Sequence, residues 1–280
     1  MRKIQIVADS SADLMTLDGV EFSTASLKIV TSDREFLDDE ALDAGEMTEY
    51  LDKYKGKSHT SCPNTNDWIS AFGEAEEVFC ITITSGLSGS YNSACIAKKA
   101  YEEMYPERRV YVIDSLSTGP EMILIIEKLR ELINADTSFE EIIAKINEYK
   151  KNTGLLFMLK SMNNLANNGR VSKISAKIAG VMNIRVVGKA SDVGTLEPLD
   201  KPRGEKMTLL KMKDRLLSLG YKGGKLRITH CLNAESAETL CKMMLEIYPT
   251  ADITIGKCRG LCSFYAERGG MLVGFEKSGA

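Results

Sequence analysis

The chain has 280 residues, with 36 Lys and Arg against 39 Asp and Glu, a formal net charge of −3 and a hydrophobic fraction of 44%. That length and apolar content suffice for two packed domains. The near balance of charge leaves no field to gather phosphate backbones or an anionic membrane surface, so no nucleic-acid partner is expected.

The first apolar run, Ile4-Gln5-Ile6-Val7-Ala8, reads as a strand and lacks the basic, apolar and small-residue succession of a secretory signal. Runs at 78–84 and 110–113 read as further strands, with helical patterns at 47–54, 66–74 and 89–103 between them. Met122, Ile125, Ile126, Leu129, Leu132 and Ile133 then recur at helical spacing. Such alternation predicts a three-layer α/β/α domain on a parallel sheet. Thr137-Ser138 ahead of Glu140-Glu141 opens another helix, and Gly154 introduces the apolar run Leu155-Leu156-Phe157-Met158. Strands near 185–187, 226–231 and 253–255, with helices near 207–219 and 234–247, predict a second, two-layer α/β domain with a mixed sheet. The expected division is 1–156 for the first domain and 157–280 for the second, without a flexible tether. No run approaches the roughly 20 apolar residues of a membrane span. A cytoplasmic protein that is not integral to a membrane is expected.

Chemistry concentrates at strand-to-helix turns. Thr84-Ser85-Gly86-Leu87-Ser88-Gly89-Ser90-Tyr91-Asn92-Ser93 follows an apolar strand and leads into a helix. Glycines there let backbone approach a ligand closely, and helix-start amides favour an anion. The same serines serve equally well as helix caps, and the residues alone leave both readings open. Thr60-Ser61-Cys62-Pro63-Asn64-Thr65-Asn66 is a second hydroxyl-rich turn ahead of a helix. In an open α/β sheet, loops at the carboxyl ends of strands converge, so the two turns and Asp9-Ser10-Ser11 are candidates to line one crevice.

Other motifs point away from catalysis. The glycine-rich turn is followed by no GK[ST] and is not GxGxxG, so nucleotide binding is unsupported and no cofactor is expected. Ser88 lacks a GxSxG elbow, and His59 and His230 carry no identifying context as bases. The seven cysteines form no CxxC pair, and Cys258 and Cys262 stand in what reads as strand and loop, so reduced thiols without a metal are expected. Asp38-Asp39-Glu40 reads as an exposed, solvated acidic turn. Arg170 and Arg203 each stand beside glycine, suiting either an anion contact or plain surface charge.

Together these motifs resemble the DegV family of fatty-acid-binding proteins. The resemblance rests on Val7-Ala8-Asp9-Ser10-Ser11-Ala12-Asp13-Leu14, Thr60-Ser61-Cys62-Pro63, Ser85-Gly86-Leu87-Ser88-Gly89-Ser90-Tyr91, Ile113-Asp114-Ser115, Asn168-Gly169-Arg170-Val171-Ser172-Lys173 and Asn183-Ile184-Arg185. It implies a palmitate-like long-chain fatty acid between the domains, its carboxylate held by Thr60 and Ser88 with Ser61 and Ser85 nearby, and its tail against 155–159 and 174–182. It also implies a non-catalytic carrier, with a fatty-acid kinase subunit as partner and Arg170, Arg203 and residue 267 at the pocket mouth. Kinase-linked members carry His where Glu267 stands here, which reverses the charge at that place. The rival expectation is a phosphoryl- or acyl-transfer enzyme using the Ser/Gly-rich turn as an anion cradle, with Ser88 or Ser93 near the chemistry. A regulatory module that senses the lipid would use the same residues.

Overall fold

The structure is a computed structural model, describing residues 3–172 and 183–277. The first half begins with β1 (Ile4–Asp9), β2 (Glu21–Ala25), β3 (Lys28–Val30), β4 (Glu35–Leu37), α1 (Ala44–Lys53), β5 (His59–Ser61) and α2 (Thr65–Phe72). It continues through β6 (Glu77–Thr82), α3 (Ser90–Met104), β7 (Arg109–Asp114), α4 (Pro120–Asn134) and α5 (Phe139–Tyr149). Four strands form a parallel sheet in the order β2-β1-β6-β7. Alternation along these strands supplies both faces: Ile6, Phe79 and Ile113 pack with Met122, Ile125 and Ile142 of α4 and α5, while Val7, Val78 and Val110 pack with Trp68, Phe72 and Tyr101 of α2 and α3. The three layers follow from that division.

The second half comprises β8 (Thr153–Leu159), α6 (Asn163–Asn167), β9 (Val186–Ala190), β10 (Leu196–Asp200), α7 (Glu205–Ser218), β11 (Leu226–His230), α8 (Ala234–Ile247), β12 (Ile253–Lys257), α9 (Gly260–Ala266) and β13 (Met271–Glu276). Its mixed sheet runs β10-β9-β8-β13-β11-β12, with β11 and β12 parallel and the other neighbours antiparallel. The expected boundary at 156/157 runs through β8, which lies whole in this sheet. Leu156, Met158 and Val273 face α7 and α8, whereas Leu155, Phe157, Leu159 and Leu272 face the other way, toward α6 and α9.

α4 belongs to both halves. Besides covering the parallel sheet, it packs on β13, β11 and β8, and a side chain at Gly274 would collide with the Pro120 backbone. Glycine at 274 is thus what lets the helix lie on the second sheet. Arg227 of β11 reinforces the seam, its guanidinium 2.8 Å from Glu127 of α4 and 2.8 Å from Asp252.

Three local readings need correction. Thr60-Ser61 is not a turn but part of β5, which pairs antiparallel with β3 in a small β4-β3-β5 sheet. Its ladder partner is remote in sequence, so local composition could not show it. Asp38 is not solvated: it is fully buried, its carboxylate accepting from the amides of Gly260 at 2.8 Å and Leu261 at 2.9 Å. It thereby satisfies the start of α9 from across the molecule, and that helix carries Cys262 where strand or loop was expected. Burial pushes the Asp38 carboxyl up, with those two amides pulling it back.

Candidate functional site

A pocket opens between the inner face of the second sheet, α9, β5 and the turn after β6. Its walls are almost wholly apolar: Leu155, Phe157 and Leu159 of β8, Leu272 of β13, Leu196, Leu165, Leu261 and Ala266, completed by Leu27, Ile83 and Leu87 from the first half. Polar atoms come from Thr60, Ser88, Thr118, Arg170, Cys262 and Tyr265.

Most of those polar groups share one corner. Strand alternation leaves His59 and Ser61 exposed and turns Thr60 inward. The Thr60 hydroxyl meets the Tyr265 hydroxyl at 2.7 Å. Arg170 lies over the Tyr265 ring, 5.7 Å from its centroid, and donates through Nε to the Leu87 carbonyl at 3.2 Å and through Nη1 to the Asn168 carbonyl at 2.6 Å. Ser88, next to Leu87, accepts the Ser90 amide at 3.3 Å as α3 begins. Burial pushes the Tyr265 phenol up, while its bond to Thr60 and the Arg170 charge pull it back. The corner thus offers hydroxyls and a guanidinium against an apolar cavity, the chemistry suited to a small anionic head on a long apolar body.

Asp9 organises this corner from behind instead of lining it. Its buried carboxylate accepts from the Ile83 amide at 2.9 Å and the Ser90 hydroxyl at 2.6 Å, and from the Ser11 hydroxyl. Burial pushes that carboxyl up against the pull of these bonds. Asp9 therefore pins both ends of the turn that carries Ser88. The expectation that Asp9-Ser10-Ser11 faces the crevice is corrected accordingly: all three are buried beneath it.

Of the residues singled out in the sequence, Thr60, Ser88 and Arg170 come together here. Ser61 and Ser85 are exposed and outside the lining, with the Ser85 amide bound to Asp114 at 3.1 Å. Arg203 is exposed in a bridge to Ile184, also outside it. Glu267 does not line the pocket; its carboxylate accepts the Asn164 amide at 3.0 Å. Leu155, Phe157 and Leu159 line it as alternate residues of β8, and 174–182 lie outside the described residues. Tyr265, Thr118 and Cys262 escaped sequence reasoning, and only the apolar spacing of α9 could have drawn attention to Tyr265. Neither histidine reaches Ser88: His59 is exposed, and His230 Nδ1 accepts the Asn233 amide at 3.1 Å. Among the described residues, no cluster of His, Cys, Asp and Glu could hold a metal ion, and no helix is long and apolar enough to cross a membrane.

A family model described as an uncharacterised protein of the DegV family matches residues 3–277. The chain belongs to the DegV family. A DegV domain-containing protein of Streptococcus pneumoniae is 42% identical over 276 residues, spanning 97% of this chain and 98% of the relative. A solved DegV family protein from Eubacterium eligens, loaded with heptadecanoic acid, is 46% identical, with a TM-score of 0.95 over 98% of this chain and 99% of that one. The Streptococcus pneumoniae fatty acid kinase B3 protein, loaded with linoleic acid, is 42% identical, with a TM-score of 0.96 over 99% of each chain. The two-part DegV architecture, a parallel sheet joined to a mixed one, therefore extends over nearly the whole molecule.

Proposed function

We propose that this DegV protein is a non-catalytic carrier that holds one long-chain fatty acid in the pocket, the carboxylate on Thr60 and Ser88 and the tail along Leu155, Phe157 and Leu272. The observation that carries the reading is the polar corner of Thr60, Tyr265, Arg170 and Ser88 in a cavity whose other lining residues are apolar apart from Thr118 and Cys262. The fatty acids bound by two relatives at 46% and 42% identity support the same ligand class. Each buried CH₂ of a tail contributes roughly 0.8 kcal/mol, so chain length supplies most of the affinity. A buried carboxylate in turn needs charged or hydroxyl donors, and the corner has them.

By the same relation, its partner would be a fatty-acid kinase subunit in the cytoplasm, since one relative is named as a protein of that kinase. Arg170, at the pocket, and the exposed Arg203 are the cations available to such a partner. Glu267 accepts the Asn164 amide at 3.0 Å and is not among the residues that line the pocket.

The direct test is organic extraction of purified protein followed by mass spectrometry and titration with a fluorescent fatty acid. The expected result is an endogenous saturated or monounsaturated acid and saturable one-to-one uptake. Protein that is lipid-free and takes up no palmitate overturns the proposal. Thermal shift with palmitate against ATP and Mg²⁺ separates it from the transferase alternative, because stabilisation by nucleotide alone would favour an enzyme.

A further inference from the structure

A second cavity, of about 470 Å³, shares only Leu155 with the first. It lies at the seam where the turn after α5 meets the second sheet, and its size suits a small metabolite. In a chain of net charge −3, four lysines converge on it: Lys150, Lys151, Lys189 and Lys277. The lining contains two acids, Asp192 and Glu121. Glu121 is buried and holds the Thr153 hydroxyl at 2.8 Å, and burial pushes its carboxyl up.

The partners of the lysines are uneven. Lys151 and Lys189 meet carboxylates, Glu148 at 2.7 Å and Glu197 at 3.5 Å. Lys150 and Lys277 instead donate to main-chain carbonyls, those of Asp114 and Lys151. Burial pushes the Lys150 ammonium down, with the Asp114 and Glu121 carboxylates pulling it back. Lys150 and Lys277 share the Glu121 carboxylate as their electrostatic neighbour, so four ammoniums face two acids in the lining, and an anion bridging them would offset the excess. Ser115, Asn147 and Ser191 add hydrogen-bonding groups, and Leu116, Leu219 and Phe275 add an apolar surface.

We propose that this cleft binds a small phosphate-bearing metabolite, its phosphate oxygens on Lys150, Lys189 and Lys277 and its uncharged remainder against Leu219 and Phe275. Several ammonium point charges converging from different elements suit a phosphate dianion with three acceptor oxygens better than a carboxylate. The site is separate from the lipid pocket and does not depend on the reading of that pocket.

Calorimetric titration of the full chain with inorganic pyrophosphate, and with malonate as a dicarboxylate control, tests it. Saturable one-to-one binding of pyrophosphate is expected, at least roughly tenfold tighter than malonate and weaker as salt rises. Lys189→Gln with Lys277→Gln should weaken it about tenfold or more while leaving palmitate uptake unchanged. Lys150→Arg, which preserves the charge, should bind. Absence of saturable pyrophosphate binding overturns the proposal, as does equal affinity for malonate or indifference to the double substitution.

Discussion

Thr60 and Tyr265 meet hydroxyl to hydroxyl at 2.7 Å although 205 positions separate them. If that pair and Ser88 hold a carboxylate, each donor to the charged group contributes roughly 1.5–3 kcal/mol. Thr60→Val with Ser88→Ala should then bind fluorescent fatty acid at least about a hundredfold more weakly with an unchanged circular dichroism spectrum. Unchanged affinity would move the head-group site elsewhere. Tyr265→Phe, which removes one hydroxyl and keeps the ring under Arg170, should cost a smaller factor, about tenfold to a hundredfold.

Asp13 offers a test of a different kind. Its Oδ1 takes the Arg259 amide at 2.7 Å just before α9, and burial pushes its carboxyl from 3.8 up to about 7. A carboxyl raised on folding makes the native state bind more protons than the unfolded chain between those values, so its contribution to stability falls as pH rises from about 4 to about 7. Between pH 5 and pH 8 the loss at this one site is on the order of 3 kcal/mol. Urea unfolding should show a smaller decline over that interval in Asp13→Asn than in the parent. Equal declines would mean an ordinary carboxyl at 13. His230, pushed down by burial, works in the opposite sense below its usual value, which is why the comparison rests on the variant. Of the site residues, Thr60 and Ser88 were legible as hydroxyls beside helix starts. Tyr265 was not, because its role depends on where α9 lands against β5.

At the scale of elements, β1, β6 and β7 were legible because helices cover both their faces and most of their residues are apolar. The three-residue strands β3, β4 and β5 are half exposed and carry no comparable run. Helix α9 hid for another reason: its capping carboxylates, Asp13 and Asp38, lie more than 200 residues away in the chain. For α4 the apolar spacing revealed one face, yet Pro120, Glu121 and Leu124 are buried as well, since the helix serves two sheets. Gly274→Ala should push α4 off β13 and destabilise the protein by about 1–3 kcal/mol, read from the midpoint of urea unfolding. The tip between β9 and β10 makes a comparable close approach, with the Thr84 hydroxyl on the Gly194 carbonyl at 2.9 Å and Gly86 beside the Val193 carbonyl. It joins the second sheet to the turn that leads to Ser88.

For the molecule as a whole, a ligand enclosed by both halves stabilises the folded state in proportion to its occupancy. Palmitate at a hundred times its dissociation constant should add about 2.7 kcal/mol to delipidated protein, a rise in Tm on the order of 5 °C. No shift would argue against an enclosed acyl chain.

The sharing of α4 has a kinetic consequence. A helix gripped on opposite sides cannot let the halves part without baring two cores at once, so exchange of an enclosed ligand must proceed by smaller excursions at the rim. Amide hydrogens along α4 should accordingly exchange slowly whether or not the cavity is filled. Protection gained on filling it should appear in α9 and in the Thr84 to Ser88 turn, the pieces that can lift while the seam stays shut.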